Sequence, residues 1–303
     1  VSEAMMSSIL ALTDPGDDVI IFEPWYENYV PDCLMAGTRP RFVPLREPDY
    51  RIDAEALHAA VGSRTRLLLL NTPHNPTGRV MSAEELAAIA EVCRAHNLIA
   101  VTDEIYEHIT YDGAAHVSIG SLPGMAERTV TISGLGKTYA VTGWRVGWIL
   151  APEMLSGEIR KVHDYLTICA PAPFQAAGMA AMRLPDRYYA EMRREYAARR
   201  RILLDALTGA GFRFRIPEGA YYVMADFSHI LWDLAAHAKP GWTADRAFAE
   251  YMARVVGVAV VPGSSFYMND SQGTTRVRFN FAKAAPTLHE AARRLRRLGP
   301  AEG

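Results

Sequence analysis

The chain has 303 residues, half of them hydrophobic, and its 32 Lys and Arg nearly balance its 34 Asp and Glu. Because no run of more than three like charges occurs and the net charge is close to zero, there is no electrostatic basis for binding nucleic acid or an anionic membrane. No apolar run approaches the ~20 residues that span a bilayer. Cys33, Cys93 and Cys169 are widely separated and form no CxxC pair, so neither a disulfide framework nor a metal site is indicated. We therefore expect a small-molecule partner, a reducing and cytoplasmic compartment, and no nucleic-acid, membrane or metal partner.

The first two thirds of the chain alternate apolar runs of strand length with segments of helical spacing. This pattern predicts strands at 19–22, 67–70, 98–102 and 129–133, and helices at 3–12, 54–61 and 83–96. Ser82, followed three residues later by Glu85, indicates a capping box at the start of the last of these helices. The alternation predicts an α/β fold in which helices cover both faces of a mostly parallel sheet.

The last third of the chain has a different pattern. Residues 160–184 have helical spacing with a break at Pro171-Ala172-Pro173, and residues 188–207 predict a long helix. This helix is basic, and we interpret its arginines as solvated rather than as an anion site; they are Arg193, Arg194, Arg199, Arg200 and Arg201. Strands predicted at 212–216, 220–226 and 276–281 indicate a smaller α+β domain. Since one core seldom grows past ~250 to 300 residues, we predict a large domain at 1–185 and a small domain at 186–303.

Three polar residues follow strands of the predicted parallel sheet. Asn75, Asp103 and Lys137 each come within a few residues after a strand end. Ligands bind beyond the carboxyl ends of such strands, so we expect all three at one edge. A lysine just beyond a buried strand is partly desolvated and can act as a nucleophile toward an aldehyde. A nucleotide-binding P-loop at Gly136-Lys137-Thr138 is excluded, because Thr131 stands where that motif needs glycine.

Four segments carry a resemblance to a known family: NTPHNPTG at 71–78, TDEIY at 102–106, SGLGKT with TGWRVGW between 133 and 148, and RVRFNFAK at 276–283. In this order they resemble the fold-type I, class I/II pyridoxal phosphate aminotransferases, above all the kynurenine, glutamine and methionine aminotransferase branch. The resemblance runs from the first residue nearly to the last. It implies transfer of an amino group between an L-amino acid and a 2-oxo acid by a homodimer.

The resemblance leaves two other interpretations open. Related C–S β-lyases and arginine-modifying pyridoxal phosphate enzymes share the scaffold, and they would use the same lysine. The chain also opens where the family's large domain has already begun, so we expect that an N-terminal segment is missing and that an inactive fragment is a third interpretation. The motifs do not say which amino donor and acceptor would be used.

The resemblance implies catalytic roles for three residues. Lys137 would hold pyridoxal phosphate covalently and later serve as general base, and Asp103 would keep the pyridine nitrogen protonated. Tyr106 would hydrogen-bond the phenolic oxygen of the cofactor together with Asn75. Tyr26 falls where the family stacks an aromatic ring on the pyridine, and Trp25 is the competing candidate.

Two further groups of residues would hold the anionic ends of cofactor and substrate. Val1 and Ser2 precede a helix whose N-terminus suits a phosphate, and Arg145 matches the family's phosphate-binding cation. Gly134 replaces the usual serine of this site, so we expect that one hydroxyl contact to the phosphate is lost or is replaced by Ser133 or a backbone N–H.

Arg278 matches the family's clamp for the substrate α-carboxylate, and Asn75 would assist it. Arg276 lies two residues away and so shares the strand face, which leaves it as the alternative. His74 and His108 have no nucleophile or metal ligand beside them in the sequence, and we interpret both as structural.

Overall fold

A computed structural model, which describes residues 1–298, has a six-stranded central sheet. Its strands are β1 (Asp18–Glu23), β2 (Arg39–Pro44), β3 (Thr65–Asn71), β4 (Ile99–Asp103), β5 (Thr129–Gly134) and β6 (Gly147–Leu150). The order is β2-β1-β3-β4-β5-β6, with the first five strands parallel and β6 antiparallel to β5. The predicted mostly parallel sheet is confirmed, and the four strands predicted for it, at 19–22, 67–70, 98–102 and 129–133, lie within β1, β3, β4 and β5 to within one residue.

Helices cover both faces of this sheet. They are α1 (Ser2–Leu12), α2 (Tyr29–Met35), α3 (Ala54–Ala60), α4 (Ala83–Ala95), the short α5 (Leu135–Thr138), α6 (Glu153–Leu166) and α7 (Ala172–Ala181). Alternate strand residues enter different cores, since side chains of a strand point to opposite faces. Val19 and Ile21 pack with residues of α1, α2 and α6, whereas Ile20 and Phe22 pack with residues of α3 and α4. Because both faces are covered, the inner strands β1, β3 and β4 are mostly apolar and buried along nearly their whole length, whereas the edge strand β2 is partly exposed.

The capping box is present as predicted. The Ser82 hydroxyl accepts from the Glu85 backbone N–H, and the Glu85 carboxylate accepts from the Ser82 N–H. The same carboxylate also pairs with the guanidinium of Arg79, which is buried. The start of α4 is thus tied to the loop that follows β3, which is the loop that carries Asn75.

A second sheet follows in the C-terminal part of the chain. Its strands are β7 (Arg213–Phe214), β8 (Tyr222–Asp226), β9 (Val261–Pro262) and β10 (Arg276–Asn280), in the order β7-β8-β10-β9 with antiparallel neighbours. The helices are α8 (Asp186–Gly209), α9 (Leu234–His237), α10 (Ala244–Tyr251) and α11 (Ala285–Leu295). The predicted domain boundary between residues 185 and 186 falls at the start of α8, and residues 299–303 of the predicted small domain lie outside the described residues.

The structure corrects one interpretation of the basic helix α8. Arg200 is not solvated: it is 8% exposed, donates to the Pro217 carbonyl oxygen at 2.6 Å and pairs with Asp112 at 2.6 Å. Its guanidinium also lies over the ring of Tyr111. Period 3.6 turns one side of any long helix toward the core, and a charged residue on that side is retained when it is paired.

The two sheets meet at Gly78, in the loop after β3. Gly78 has a φ of +72°, and a Cβ atom there would lie 2.4 Å from the Cβ of Pro217 and 2.8 Å from the carbonyl oxygen of Tyr222. Its carbonyl oxygen accepts from the backbone N–H groups of Glu218 and Gly219, each at 2.8 Å. Only glycine allows this close approach, which brings the Asn75 loop against the start of β8.

Candidate active site

A cavity of about 690 Å³ opens where β3, β4 and β5 end. It brings together most of the predicted site residues, and its wall includes Val1, Ser2, Tyr26, Asn75, Asp103, Tyr106, Lys137 and Arg145. Strand register explains part of this arrangement, because Asn71 at the end of β3 lies opposite Asp103 at the end of β4. Parallel strands that end in register deliver their following residues to one edge of the sheet.

Asp103 is a carboxylate held in a dry part of the wall. It is 3% exposed, and the Tyr29 hydroxyl donates to Oδ2 at 2.9 Å while the Ile105 backbone N–H donates to Oδ1 at 3.2 Å. Burial raises the pKa of Asp103, and these two hydrogen bonds oppose the rise. No cationic side chain of residues 1–298 forms an ion pair with it.

Lys137 faces the same cavity from α5. Burial lowers the pKa of Lys137, Asp103 opposes this shift through its charge, and Arg145 and Arg278 add to it. Within the described chain the ammonium makes no hydrogen bond or ion pair; it lies 5.9 Å from the ring centroid of Tyr221. A lowered pKa makes the neutral, nucleophilic amine accessible at a lower pH than in water.

The other strand ends carry amide and phenol groups. Asn71 donates from Nδ2 to the Asp103 carbonyl oxygen at 2.8 Å and accepts from the Asn75 backbone N–H at 2.8 Å, so it ties both residues together. The Tyr106 hydroxyl lies 3.1 Å from that of Tyr222. Burial, with neighbouring tyrosines, holds the pKa of Tyr106 well above its ordinary value, so this phenol stays protonated and can donate.

Arg276 and Arg278 lie two residues apart on β10 and have different partners. Arg276 pairs with Glu47 and lies 3.7 Å from Asp226. Arg278 instead donates from Nη1 to the Asn75 side-chain oxygen at 2.8 Å, and its Nε is buried without a partner among the described residues. Of the two candidates for a carboxylate clamp, Arg276 is already neutralised and Arg278 is not.

The wall near α1 is cationic and rich in free N–H groups. Val1, Ser2 and Glu3, at the start of α1, line the cavity together with Arg145, which also donates to the Thr142 carbonyl oxygen at 3.1 Å. The first N–H groups of an α-helix have no partner within the helix, so this end of the cavity suits an anion.

The structure does not bring Ser133 into the cavity, which corrects its predicted contact with a phosphate. Its hydroxyl donates to Glu107 at 2.8 Å, away from Lys137. Gly134 has no room for the serine hydroxyl of the family either, because a Cβ there would lie 2.9 Å from the Val146 carbonyl oxygen. The antiparallel approach of β6 to β5 explains the glycine.

Of the remaining predicted residues, one lines the cavity and the others lie outside it. Tyr26 lines the cavity and packs edge-on against Tyr29, with ring centroids 5.6 Å apart, whereas Trp25 lies in the core. His74 is buried and pairs through Nδ1 with the Thr77 hydroxyl at 2.8 Å. His108 packs on the Tyr189 ring, with centroids 4.6 Å apart, outside this cavity.

Sequence reasoning missed four residues of the site: Tyr29, Asn71, Tyr222 and Phe266. Tyr29 holds Asp103, Asn71 joins two strand ends, and the rings of Tyr222 and Phe266 lie under Arg278. Asn71 was visible within the NTPHNPTG segment and follows the rule for strand ends. The three aromatic residues carry no signal in the sequence that separates them from core residues.

The fold and cavity define a class of protein that the comparisons identify. The chain matches the family model described as aminotransferase class I and II over residues 2–295, and it belongs to this family. Members of the family use pyridoxal phosphate, and the chain is a transaminase that moves amino groups between amino acids and 2-oxo acids.

Named relatives are similar over most of the chain. A probable N-succinyldiaminopimelate aminotransferase of Mycobacterium tuberculosis is 40% identical over 97% of this chain and 74% of that protein. A kynurenine–oxoglutarate transaminase of Dictyostelium discoideum and a methionine aminotransferase of Escherichia coli are each 36% identical, over 98% of this chain and 74% of theirs. The predicted resemblance to the kynurenine and methionine branch is confirmed.

Solved structures agree with the fold. The N-succinyldiaminopimelate aminotransferase from Mycobacterium tuberculosis superimposes with a TM-score of 0.91 at 40% identity, covering 97% of this chain and 75% of that one. Within residues 1–298 no helix is long and apolar enough to cross a membrane, and no three His, Cys, Asp or Glu side chains cluster as metal ligands would.

Proposed function

We propose that this transaminase binds pyridoxal phosphate in the cavity, attached to Lys137, and exchanges amino groups between an L-amino acid and a 2-oxo acid there. The observation that carries the proposal is that a lysine without an acidic partner and a buried carboxylate without a cationic partner face one cavity. A ligand with an aldehyde and a basic ring nitrogen satisfies both. The residues present therefore fit this cofactor.

When bound, pyridoxal phosphate draws electrons from the amino-acid α-carbon and so makes its proton labile. Asp103 keeps the ring nitrogen protonated, because a buried carboxylate favours the nearby cation. Tyr29 and the Ile105 N–H donate to the two oxygens of that carboxylate, which favours its ionised form and opposes the rise in pKa that burial causes. Tyr26, on the cavity wall, would pack against the cofactor ring.

The phosphate end is held by the start of α1 and by Arg145. Val1 and Ser2 present free N–H groups at the positive end of the helix dipole, and Arg145 adds a full charge. Asn75 and Tyr106 donate to the phenolic oxygen. Because the Tyr106 pKa is raised, its hydroxyl keeps the proton that it donates.

The substrate is oriented by its α-carboxylate at Arg278, assisted by Asn75 through the 2.8 Å bond between them. Planar guanidinium geometry matches two carboxylate oxygens at once. The Lys137 amine would act as the general base that takes the proton from the substrate α-carbon and, as its conjugate acid, gives it back. Its lowered pKa makes this free base accessible at a lower pH than for a lysine in water.

We infer that the chain acts as a homodimer. The segment formed by α6, α7 and the turn between them exposes large apolar side chains, with Tyr165 at 95%, Met154 and Ile168 at 75% and Met179 at 58%. Apolar surface of this extent is typical of an interface, and the resemblance names a second copy as its occupant.

Sedimentation velocity tests the dimer. Ile168→Glu is expected to produce monomers, whereas Val255→Glu, at an apolar residue that is 50% exposed outside this segment, is expected to leave the dimer intact. A wild-type protein that sediments only as a monomer at micromolar concentration contradicts the proposal.

We also propose a cytoplasmic location. Cys33 and Cys93 are buried free thiols and Cys169 is an exposed one, as expected in a reducing compartment. Cell fractionation with an antibody against the chain tests this, and recovery from an oxidising compartment contradicts it.

The reaction class is tested by product analysis. With a panel of amino donors and pyruvate, 2-oxoglutarate or 4-methylthio-2-oxobutyrate, a transaminase forms a keto acid only when an acceptor is present. Release of ammonia and pyruvate without an acceptor indicates a C–S β-lyase instead. A folded chain that binds no cofactor indicates an inactive fragment.

A further inference from the structure

Tyr222 lies on the cavity wall between the Arg278 guanidinium and the Tyr106 hydroxyl, and it has no role in the reaction described so far. It is the first residue of β8, is 7% exposed and lines the cavity wall. The ring lies under the Arg278 guanidinium, whose Cζ is 4.5 Å from the ring centroid. Its hydroxyl is 3.1 Å from the Tyr106 hydroxyl. One side chain thus touches the group proposed for the substrate carboxylate and a group proposed for the cofactor.

The contact with Arg278 restricts a flexible side chain. The guanidinium lies over two rings, that of Tyr222 and that of Phe266, whose centroid is 4.7 Å from Cζ. Tyr222 pairs with Asn280 across the strands, so its ring reaches Arg278 along the diagonal. Stacking on rings and one bond to Asn75 fix the plane of the guanidinium while Nε stays without a partner. Ordering before binding lowers the entropy lost when a ligand binds.

The contact with Tyr106 favours one orientation of the Tyr106 hydroxyl, in which its proton points into the cavity. If Tyr106 donates into the cavity, its oxygen is free to accept from the Tyr222 hydroxyl, and a hydrogen bond received there strengthens the one donated. The two rings also pack edge-on, with centroids 5.9 Å apart and planes at 87°. This packing fixes the Tyr106 hydroxyl in position.

We propose that Tyr222 is a positioning residue of the transamination site, whose ring holds Arg278 for the substrate α-carboxylate and whose hydroxyl holds Tyr106 for the phenolic oxygen of the cofactor. The inference rests on the proposed function. It predicts that the two roles can be removed separately, because the ring and the hydroxyl are chemically separable.

Two variants separate the roles. The probe is 2-methylalanine, which has an α-carboxylate and an amino group but no α-hydrogen, so its binding is measured without turnover. Tyr222→Phe keeps the ring, and its dissociation constant for the probe is expected within about twofold of wild type. Tyr222→Leu removes the ring, and the constant is expected to rise about threefold to thirtyfold, the range of a cation–π contact.

The second measurement is the pH titration of visible absorption in the cofactor-loaded protein without any amino acid. Tyr222→Phe is expected to raise the midpoint by up to about half a pH unit, because a weakened hydrogen bond from Tyr106 makes the lysine nitrogen more basic. Phe266→Leu is the matched control: it removes the other ring under Arg278, so it weakens probe binding and leaves the midpoint unchanged.

The outcomes distinguish this inference from the function on which it rests. The Tyr222 proposal is overturned if Tyr222→Phe leaves the midpoint unchanged, or if Tyr222→Phe weakens probe binding as much as Tyr222→Leu. A wild-type protein without a visible band, or an Arg278→Ala variant with unchanged probe binding, overturns the proposed function itself. Should Tyr222→Leu not fold, as judged by circular dichroism, Tyr222→Met takes its place as the variant without a ring, and Tyr222→Phe still decides the role of the hydroxyl.

Discussion

The site has two ends, the edge of the parallel sheet and the Arg278 side chain that bonds to Asn75 on the cavity wall, and they are built in different ways. At one end, Asn75, Asp103 and Lys137 follow strands of one parallel sheet and are delivered to its edge by strand register. At the other end, Arg278 comes from an antiparallel strand of the second sheet and is held by rings that follow no motif. The first end depends on the order of strands, and the second depends on how two sheets pack together.

The charged side chains at both ends differ in whether they have a partner, and those without one are available to a ligand. Lys137 and Asp103 form no ion pair within residues 1–298, so no neighbouring side chain neutralises the charge of either one. On β10, Arg276 is paired with Glu47 and lies near Asp226, so its charge is neutralised. Arg278, in contrast, has a buried Nε–H that makes no hydrogen bond. Unpaired buried charge is costly, so it persists where a ligand supplies the missing partner.

The largest effect is expected when Lys137, at the sheet-edge end of the site, is replaced. Pyridoxal phosphate followed by borohydride is expected to label Lys137 in the wild type, and Lys137→Ala is expected to lose the label and about 10⁴-fold of transamination, since it removes both the nucleophile and the general base. Peptide mapping by mass spectrometry locates the label. Lys161→Ala, at an exposed lysine paired with Glu158, is the control. A label on Lys161 or Lys283 contradicts the assignment.

Asp103→Asn tests the second group at the same end. The side chain keeps its shape and still accepts from Tyr29, but it carries no charge to hold the ring nitrogen protonated. Cofactor labelling at Lys137 is expected to remain. The value of kcat is expected to fall by about a hundredfold or more, because the variant loses a buried charge-assisted hydrogen bond and the ring nitrogen is then less often protonated. Asp112→Asn, at an exposed carboxylate paired with Arg200, serves as control. Turnover equal to wild type would rule out this role for Asp103.

Variants of the two arginines of β10 test which of them binds the substrate α-carboxylate. A charge-assisted bond to a carboxylate is worth roughly 1.5 to 3 kcal/mol, so Arg278→Ala is expected to raise KM for the amino donor by about tenfold to more than a hundredfold. Cofactor labelling should remain, because the residues that we propose for the phosphate, Arg145 and the start of α1, are unchanged in this variant. Arg276→Ala loses its pairs with Glu47 and Asp226 and is expected to lower stability by about 1 kcal/mol with little change in KM.

The opposite result, with a raised KM only in Arg276→Ala, would move the clamp to Arg276. Steady-state kinetics and denaturant unfolding of the same two variants make the distinction.

The smallest expected effect concerns the loop between the two ends. Burial, with the charge of Arg79, lowers the pKa of His74 to about 3. Between the ordinary pKa of ~6.5 and this value, the unfolded chain binds a proton that the folded chain does not, so stability falls as the pH falls, by about 1.4 kcal/mol per unit. Urea unfolding from pH 6.5 to 4.5 is expected to show a loss of about 2 to 3 kcal/mol from this source.

In His74→Asn that acid-dependent loss is expected to shrink, because asparagine does not titrate. His289→Asn, at an exposed histidine of α11, is the matched control and should leave the loss unchanged. Equal pH dependence in wild type and His74→Asn would contradict a neutral, buried His74.

The sequence predicted the parallel sheet, its helices and the shared edge because these follow from local periodicity and from one packing rule. Strands at 67–70 and 98–102 were predicted as apolar runs, and Asn75 and Asp103 follow from where those runs end. The direction of the Ser133 side chain could not be predicted in this way, because at the end of β5 it depends on what packs beside it, here Glu107. Arg200 was misjudged for the same reason.

By itself, then, the sequence determined the family, the α/β architecture and the lysine at the strand end, since motifs and hydrophobic periods are local properties of the chain. Tertiary structure decided that Arg276 is paired with acidic residues while Arg278 bonds to Asn75, that Tyr29 donates to Asp103, and that Tyr222 lies between Arg278 and Tyr106. These depend on contacts between residues far apart in sequence. Their burial and their partners become fixed only when the two sheets pack against each other.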